Sequence, residues 1–564
     1  MDTAAEATPA PTAGADKVDS RRWWALIVLM LAGFMNLLDV SIVNVAIPSI
    51  RRDLGATYAA IQWVIAAYSL AFALMLITGG RLGDIFGRKR MFLIGVVGFT
   101  LASLLCGLAR SPELLIGARL FQGVMAATMV PQVLSIVQTS FPPNERAKVF
   151  GIYGAVIGIS TISGPLAGGV LIDADLFGLD WRPIFLVNIP IGLIAFIGAA
   201  ILVHESKAPH ALRLDPIGVA VLTLGLAMLF LPLVEGRELD WPAWTFASMA
   251  ASLPVFVLFV FYERHKTKKD GSPLVVLELF GESSFVAGLL VSVTFSSALG
   301  SFFLIFTIFM QIGLEFTALH AALTTLPFSV GAAVASSLSA KLVPRFGRDV
   351  MVAGGLAMAA GMAGLALVLD SVGTDFQSLE VLPVLLLIGL GMGLVMAPLM
   401  NAVLAGVPRQ FAGSASGILH TAQQLGIATG VAVIGMIFFG LLESRAGASA
   451  DAAGVRLRGE LREAAIDEPA ADSVLGEFRQ CVVDRFGAVE SALPPSCLRL
   501  VTPAELAALP AAQGERFRAI VGEALTEARR LNFHGAMLRG LAYPIGIYVL
   551  SSLLMLRLPR RIGR

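Results

Sequence analysis

The sequence predicts an all-α polytopic membrane protein with fourteen membrane-spanning helices. Hydrophobic residues make up 56% of the 564-residue chain and charged residues only 14%. Ordinary soluble domains carry about 25% charged residues, so this composition argues against a soluble protein. Apolar runs of the roughly 20 residues needed to cross a bilayer recur along the chain. The predicted spans are residues 23–47, 59–79, 91–109, 112–135, 147–172, 183–203, 215–234, 243–262, 284–311, 319–342, 350–370, 381–405, 412–441 and 540–558.

The distribution of Lys and Arg predicts the orientation. An even number of spans places both termini on one side of the membrane. If that side is the cytoplasm, the cytoplasmic loops and tails carry 23 Lys and Arg residues and the short outer loops carry five. This asymmetry follows the positive-inside rule. We therefore expect a multi-pass protein of the plasma membrane with cytoplasmic N- and C-termini.

An internal repeat divides the chain into two halves. The segment 340–348 resembles the segment 80–88 at an offset of 260 residues, and both fall in predicted cytoplasmic loops. Two six-helix halves separated by two extra helices explain this offset, and such halves are common in secondary transporters. The predicted regions are a disordered cytoplasmic tail (1–22), a six-helix bundle (23–203), two extra helices (204–283), a second bundle (284–558) with an extracytoplasmic insert (443–539), and a cytoplasmic tail (559–564).

Composition also argues against several classes of function. The net charge is +1 and no basic stripe is present, so nucleic acid is not an expected partner. Three cysteines and six scattered histidines do not suit a zinc or iron–sulfur site, and we expect no metal and no cofactor. No Walker-type phosphate-binding loop occurs, which argues against an ATP-driven pump. We expect a monomeric transporter, not an enzyme, whose partners are protons, a small lipophilic substrate and membrane lipids.

Two charged residues lie deep within predicted spans. Asp39 stands about nine residues from the outer end of the first span, or roughly 13 Å deep at 1.5 Å per residue. Arg119 has a matching depth in the fourth span, which runs in the opposite direction. A buried carboxylate costs several kcal/mol unless it is paired, hydrated or protonated. Asp39 and Arg119 are therefore the candidate proton-coupling residues, and a static interhelical salt bridge is the alternative.

The loop between the second and third spans combines glycines, an acid and bases. Gly80, Asp84, Gly87 and Arg88 are its candidate gating residues. Glycine permits tight turns and close helix contacts, and Asp can cap a helix or pair with Arg. We expect this loop to hold the cytoplasmic ends of two bundles together. A simple positive-inside anchor would explain the bases but not the Gly and Asp spacing.

The fifth predicted span contains Gly164, Pro165, Gly168 and Gly169. Small residues let helix backbones approach closely in lipid, and proline bends a helix. These properties suit a gate that seals the outer half of the protein against the opposite bundle. Ordinary small-residue packing is the alternative.

Other polar residues are weaker candidates. Asn44, Gln122, His420 and Gln423 are candidate cavity-lining residues, although a buried histidine more often serves a structural interhelical contact. In the insert, Cys481 and Cys497 have a spacing that a disulfide can close in an oxidising compartment, and two reduced thiols are equally open. The segments 461–465 and 505–508 are expected to form short surface helices.

These motifs together resemble the major facilitator superfamily, and within it the fourteen-helix drug:proton antiporter branch. The similarity rests on residues 39–48, on the loop 80–89, on Arg119 with Gln122 and Gly123, on the glycines and proline of the fifth span, and on residues 181–190. The resemblance implies that Asp39 and Arg119 act in proton coupling and that the fifth-span motif belongs to exporters. Ile85, Met125 and Ser160 depart from the usual pattern, but none of these departures removes a charged residue.

The resemblance implies proton-coupled multidrug efflux of lipophilic compounds, cationic or neutral, across the plasma membrane. The middles of the seventh to fourteenth spans contain no carboxylate, which argues against a dication as substrate. The alternative is a dedicated exporter of a lipid, a secondary metabolite or an antibiotic that has the same fold.

Overall fold

The computed structural model describes most of the chain from residue 21 to residue 560. The described residues are 21–56, 58–207, 215–236, 239, 241–271, 273–374, 376–408, 411–464, 466, 468–487, 494–501 and 511–560. Most of the predicted N-terminal tail, the last four residues and the segment 505–508 lie outside these residues, as do the side chains of Asn44 and Pro165.

The described residues form an all-α structure, so the predicted fold class is confirmed. The helices of the first half are α1 (Arg22–Leu54), α2 (Tyr58–Phe86), α3 (Arg88–Gly107), α4 (Pro112–Ser140), α5 (Pro143–Asp173), α6 (Pro183–Leu186), α7 (Asn188–Leu202), α8 (Pro216–Glu235) and α9 (Ala243–Asp270). Those of the second half are α10 (Ser283–Ile308), α11 (Ala318–Phe346), α12 (Asp349–Val372), α13 (Leu382–Ala405), α14 (Ala412–Glu463), α15 (Glu468–Gly487), α16 (Pro495–Val501), α17 (Ala511–Gly540) and α18 (Ala542–Met555).

Each of the fourteen predicted spans falls on a helix. Among the described residues, 13 helices are long and apolar enough to cross a membrane, and α5 contributes a shorter apolar stretch, Lys148–Ser160. The sixth span consists of α6 and α7, and the fourteenth continues from α17 into α18. Hydropathy alone located these spans because each needs an apolar surface along its full bilayer thickness.

The helices pack as two bundles with an additional pair. Helices α1–α7 form the first bundle, and α10–α14 with α17 and α18 form the second. Helices α8 and α9 pack on each other, and α8 also packs against α2 and α14. Contacts between the bundles join α5 to α11 and α13, and α14 to α2 and α4. We call the end of the molecule where α2 and α4 finish and α14 begins the latch end.

The insert is more helical than the sequence suggested. Helix α14 is 52 residues long, or about 78 Å, which exceeds the bilayer core more than twofold. Its far half packs with α15, α16 and α17 around a separate apolar core. Leu461 is therefore fully buried near the end of a long helix, so the prediction of a short surface helix at 461–465 is wrong. Cys481 and Cys497 join α15 to α16 as a disulfide.

Candidate functional site

A buried ion pair occupies the interior of the first bundle. The Asp39 side chain on α1 is fully buried, and that of Arg119 on α4 is 2% exposed. Arg119 Nη1 donates to Asp39 Oδ2 at 2.5 Å. Because α1 and α4 run in opposite directions, residues at matching depth lie side by side. The depth calculation from the sequence therefore placed these two residues in contact correctly.

Two amide side chains complete the surroundings of the carboxylate. Gln122 Nε2, one turn beyond Arg119, donates to Asp39 Oδ1 at 2.8 Å. Asn188 Nδ2, on α7, donates to the same oxygen at 2.8 Å. Ser103 Oγ on α3 accepts from both amides, at 2.8 Å and 3.3 Å. Three donors on one carboxylate stabilise its ionised form and offset the cost of burial.

Arg119 is held by further contacts that fix its position. Its Nε donates to the Val64 carbonyl oxygen at 3.1 Å, and its Nη1 also donates to Gln122 Oε1 at 2.7 Å. The guanidinium lies 4.4 Å from the centroid of the Tyr68 ring, close enough for a cation–π contact. Tyr68 in turn donates to Asn36 Oδ1 on α1. The charged pair thus connects α1, α2, α3, α4 and α7.

One acceptor in this network is unused. Within the described part of the chain, Asn188 Oδ1 is buried and has no hydrogen-bond partner. A buried amide oxygen without a donor costs free energy, of the order of 1–3 kcal/mol. This oxygen can therefore accept one further hydrogen bond.

The second set of predicted residues lies at the latch end. The Asp84 carboxylate, 1% exposed, pairs with Arg88 Nη2 at 2.8 Å. It also accepts from the backbone N–H groups of Gly413 at 3.1 Å and Ser414 at 3.0 Å, in the first turn of α14. A helix N-terminus has unpaired N–H groups and a partial positive charge, which favour an anion. Asp84 of the first bundle thus caps a helix of the second. We call Asp84, Arg88, Gly413 and Ser414 the latch.

Glycines bring the backbones at the latch together. A Cβ atom on Gly80 would lie 2.2 Å from the carbonyl oxygen of Gly413, so only glycine fits this crossing of α2 and α14. Gly87 has a φ of 109°, a conformation that favours glycine. Gln138 on α4 adds a hydrogen bond of 2.6 Å to the Leu404 carbonyl of the second bundle. In this structure the two bundles are therefore joined at the latch end.

The fifth-span residues do not pack as expected. A Cβ on Gly164 would lie 1.9 Å from Ser41 Oγ, and one on Gly168 would lie 3.1 Å from Ile42 Cγ1, so both glycines contact α1 of their own bundle. Gly169 has nothing within 4 Å of its Cβ position. The prediction that this motif packs against the opposite bundle is wrong. An earlier part of α5 makes that contact, where a Cβ on Gly154 would lie 2.6 Å from Ser336 Oγ on α11.

The candidate cavity-lining residues occupy different places. Gln122 belongs to the Asp39 network. His420 and Gln423 lie one turn apart on α14, both 7% exposed, with His420 Nδ1 3.1 Å from Gln423 Oε1. The other ring nitrogen, Nε2, has no hydrogen-bond partner among the described residues.

Several residues of the Asp39 network do not follow from the sequence. Asn188 lies in the segment 181–190 that carries the family resemblance, but the resemblance assigns it no role, and no sequence pattern points to Ser103 or Tyr68. Asn188 carried a usable signal, because an amide in a long apolar run needs a buried partner. Ser103 and Tyr68 gave no such signal, since both residue types are ordinary in membrane helices.

Comparisons with known proteins agree with this architecture. Residues 29–431 match the family described as Major Facilitator Superfamily. The chain is 41% identical, over 98% of its length and 94% of the relative's, to a protein named probable actinorhodin transporter in Streptomyces coelicolor. It is 37% identical to the puromycin resistance protein pur8 of Streptomyces alboniger, over 77% of this chain and 85% of that protein. It is 35% identical to the multidrug resistance protein Stp of Mycobacterium tuberculosis, over 73% of this chain and 75% of that protein.

Solved structures share the fold. The human organic anion transporter MFSD10 (TETRAN) superposes with a TM-score of 0.54 at 17% identity, covering 74% of this chain and 94% of that one. The proton:xylose symporter XylE gives a TM-score of 0.51 at 17% identity, covering 73% and 87%. With two helical bundles, a latch between them and a family match over more than two thirds of its length, the chain is a membrane transporter that belongs to the major facilitator superfamily.

Proposed function

We propose that this protein is a proton-coupled exporter of lipophilic small molecules, cationic or neutral, of the antibiotic and drug class. In this proposal both termini and the latch end face the cytoplasm, and residues 443–539 lie outside. The observation that carries the proposal is the fully buried Asp39 carboxylate with Arg119, Gln122 and Asn188 as donors. A charged pair at this depth is costly, and function is the usual reason for keeping it.

The proton acts by changing the partners of Asp39. While Asp39 is ionised, Arg119 holds it, and α1 stays attached to α4. Protonation removes the anion and leaves the Arg119 guanidinium buried without its counterion, a change that costs about 3–5 kcal/mol in comparable pairs. The first bundle must then rearrange, or Arg119 must find another partner. This difference shifts the balance between the two conformations of the transporter.

A continuous set of contacts supports coupling between this pair and the bundle interface. Ser41 and Ile42 follow Asp39 on α1 and pack against Gly164 and Gly168 of α5. The same helix contacts Ser336 of the second bundle through Gly154. A displacement of α1 can therefore pass through α5 to α11.

The relatives support export of this class of compound. Their names include a puromycin resistance protein, a multidrug resistance protein and a tetracenomycin C resistance and export protein. The first two matched proteins differ in the compound named, which favours a common efflux mechanism with a variable substrate site.

The test is transport by purified protein in liposomes with an imposed proton gradient. The wild type should accumulate a fluorescent lipophilic cation against its gradient, and an uncoupler should abolish the accumulation. Asp39→Asn keeps the size and hydrogen-bonding capacity of the side chain but cannot exchange a proton. We expect this variant to lose uphill accumulation and to retain downhill exchange of the dye.

Asp370→Asn is the matched control because Asp370 is an exposed acid at the end of α12. It should transport like the wild type. Uphill accumulation by Asp39→Asn equal to the wild type would refute the assigned role of Asp39.

A dedicated exporter of one secondary metabolite is the second candidate, and the insert favours it. The match to the actinorhodin transporter relative covers 98% of this chain and so includes the insert, whereas the family match ends at residue 431. The insert is a small domain with its own apolar core and a disulfide, and the relatives named for puromycin and multidrug resistance match only 77% and 73% of this chain.

Removing residues 450–530 separates the two candidates. The deletion joins positions that are close in the structure, since Ser449 Oγ lies 3.4 Å from Asn532 Oδ1. A broad drug exporter should keep its dye efflux after the deletion. A dedicated exporter should lose transport of its own metabolite, while a thermal unfolding measurement shows that the protein is still folded.

A further inference from the structure

The two additional helices carry buried charges that the proposed mechanism does not use. Asp215, directly before α8, is 2% exposed, and Glu263 on α9 is fully buried. Arg81 on α2, three residues before the latch residue Asp84, is also 2% exposed. Ionised side chains are rarely buried so completely without a compensating interaction.

Each of the two carboxyl groups has one unused oxygen, and both of these oxygens lie close to Gly218. Asp215 Oδ1 accepts from Gly218 N at 3.1 Å and from the Tyr262 hydroxyl at 2.7 Å. Glu263 Oε2 accepts from Val275 N at 3.1 Å. Among the described residues, Asp215 Oδ2 and Glu263 Oε1 have no partner. A Cβ on Gly218 would lie 2.6 Å from the first and 2.8 Å from the second, so both oxygens border one point.

These carboxyls connect to the latch through Arg81. Arg81 Nη2 donates to the Pro273 carbonyl oxygen at 3.0 Å, and Val275 N of the same linker donates to Glu263 Oε2 at 3.1 Å. Asp84 pairs with Arg88. The linker between α9 and α10 packs closely against these groups, and its Leu274 is only 1% exposed. The linker therefore contacts both α2, through Arg81, and α9, through Glu263.

The formal charges of this buried set do not balance. It contains three acids, Asp84, Asp215 and Glu263, and two bases, Arg81 and Arg88, all no more than 2% exposed. One uncompensated negative charge therefore remains when all five are ionised. Helix α14 also packs near α8 but carries no acid or base before His420. Glu205, beside Gly87, is exposed and caps the start of α3.

We propose that Asp215 and Glu263 share one proton, bound between their two unused oxygens, and that this proton stabilises the closed latch. A shared proton gives the unused oxygens a hydrogen bond and makes the buried set neutral. Its loss leaves a net negative charge beside Arg81 and weakens the packing of the linker on α2. This inference goes beyond the proposed function, because it does not depend on Asp39 or on any substrate.

The sign of the pH dependence follows from proton linkage. The closed latch binds one proton more than the open latch, so the closed state is favoured at low pH and lost as the pH rises. With a difference of one proton, the ratio of closed to open protein changes by up to about tenfold per pH unit. Alkalinity on the latch side therefore opens the latch.

The experiment measures the distance between the bundles at the latch end of the full-length protein in lipid nanodiscs. Spin labels are attached to Arg90→Cys in the first bundle and Lys341→Cys in the second, both exposed positions. Cys106 is buried and the other two cysteines form the disulfide, so the added thiols are the reactive ones. The closed fraction is read from the distance distribution at a series of pH values without substrate.

We expect the wild type to open as the pH rises and Glu263→Gln to stay closed across the series. Asp215→Asn, which retains the cap on α8, should behave in the same way. Arg81→Gln should favour the open state, because three acids and one base then leave an excess of negative charge even with the shared proton. The double variant with Glu263→Gln still has two acids and one base, and it should therefore also favour the open state. Glu278→Gln, an exposed acid on the same linker, is the control and should follow the wild type.

A wild-type pH response in both folded Glu263→Gln and folded Asp215→Asn would overturn the proposal. The response should persist in Asp39→Asn, whose transport assay tests the proposed function separately. A response that disappears in Asp39→Asn but survives in Glu263→Gln would assign the pH dependence to the first bundle and would also overturn the proposal.

Discussion

The two copies of the internal repeat make similar contacts within their own bundles but differ in their contacts with the opposite bundle. In both, an arginine ties the loop to the segment that follows the last helix of its own bundle. Arg88 N donates to the Ser206 carbonyl beyond α7, and Arg348 Nη1 donates to the carbonyls of Leu556 and Leu558 beyond α18. Among the hydrogen bonds of the described residues, only the first copy has a side chain that bonds to the opposite bundle, through Asp84.

The difference comes from a single position. Pro344 stands in the second copy where Asp84 stands in the first, so no carboxylate is available to cap a helix. The helix that would occupy the equivalent place, α5, has no side-chain cap. The shared architecture therefore stabilises each bundle, and one added carboxylate turns the first copy into a latch between bundles.

Removal of the Asp84 charge should have the largest effect on this comparison. In Asp84→Asn the α14 amides keep an acceptor, but Arg88 stays buried without its anion, at a cost of about 3 kcal/mol or more to the closed state. The closed-to-open ratio should fall by about a hundredfold, as measured by the distance between labels at Arg90→Cys and Lys341→Cys. An unchanged distance distribution would contradict the latch.

A methyl group at Gly80 should have the next largest effect. The added Cβ would lie 2.2 Å from the Gly413 carbonyl oxygen, and overpacking of this kind costs about 1–3 kcal/mol. Gly80→Ala should therefore lower the closed fraction in the same assay. The matched change in the second copy, Ala340→Gly, adds no atom and should therefore leave the interbundle distance unaltered.

The role of Arg348 within its bundle predicts a smaller change of a different kind. Arg348→Gln removes hydrogen bonds to the C-terminal carbonyls, worth about 1–2 kcal/mol together. The variant should unfold at a lower temperature, measured by tryptophan fluorescence, while its interbundle distance matches the wild type. A change in that distance would show that the second copy also contributes to the latch.

The smallest effect is expected at Asp349. Its side chain is 73% exposed and lies 3.9 Å from Arg348, a surface ion pair that contributes little. Asp349→Asn should change the free energy of unfolding by no more than about 0.5 kcal/mol. If Asp349→Asn instead lost about 3 kcal/mol, the cost expected for the closed state of Asp84→Asn, the contrast between the two copies would disappear.

Sequence reasoning correctly predicted those features that can be read from each helix separately. The fourteen spans follow from their apolar surfaces, and the contact between Asp39 and Arg119 follows from equal depth on antiparallel helices. The partner of Asp84 could not be found this way, because it lies 329 residues further along the chain and consists of backbone N–H groups. Any helix N-terminus offers such donors, so no residue type marks it.

The predictions that were wrong or missing also depend on which helices pack together in space. A small-residue pattern indicates that α5 approaches another helix closely, but it does not specify whether α1 or α11 is that helix. The buried pair of Asp215 and Glu263 lies near the ends of apolar runs, where acids are usually solvated, and only the packed linker places them in the interior. Hydropathy also gives no signal where α14 continues beyond the membrane, because its partner surface changes from lipid to α15 and α17.

The unbroken length of α14 connects the latch rigidly to the insert. Its first turn is fixed by Asp84, and its far end belongs to the core of the insert. A tilt of about 10° at the latch would swing the other end of this roughly 78 Å rod by about 14 Å. Any partner or antibody that holds the insert in place would therefore resist opening at the latch end.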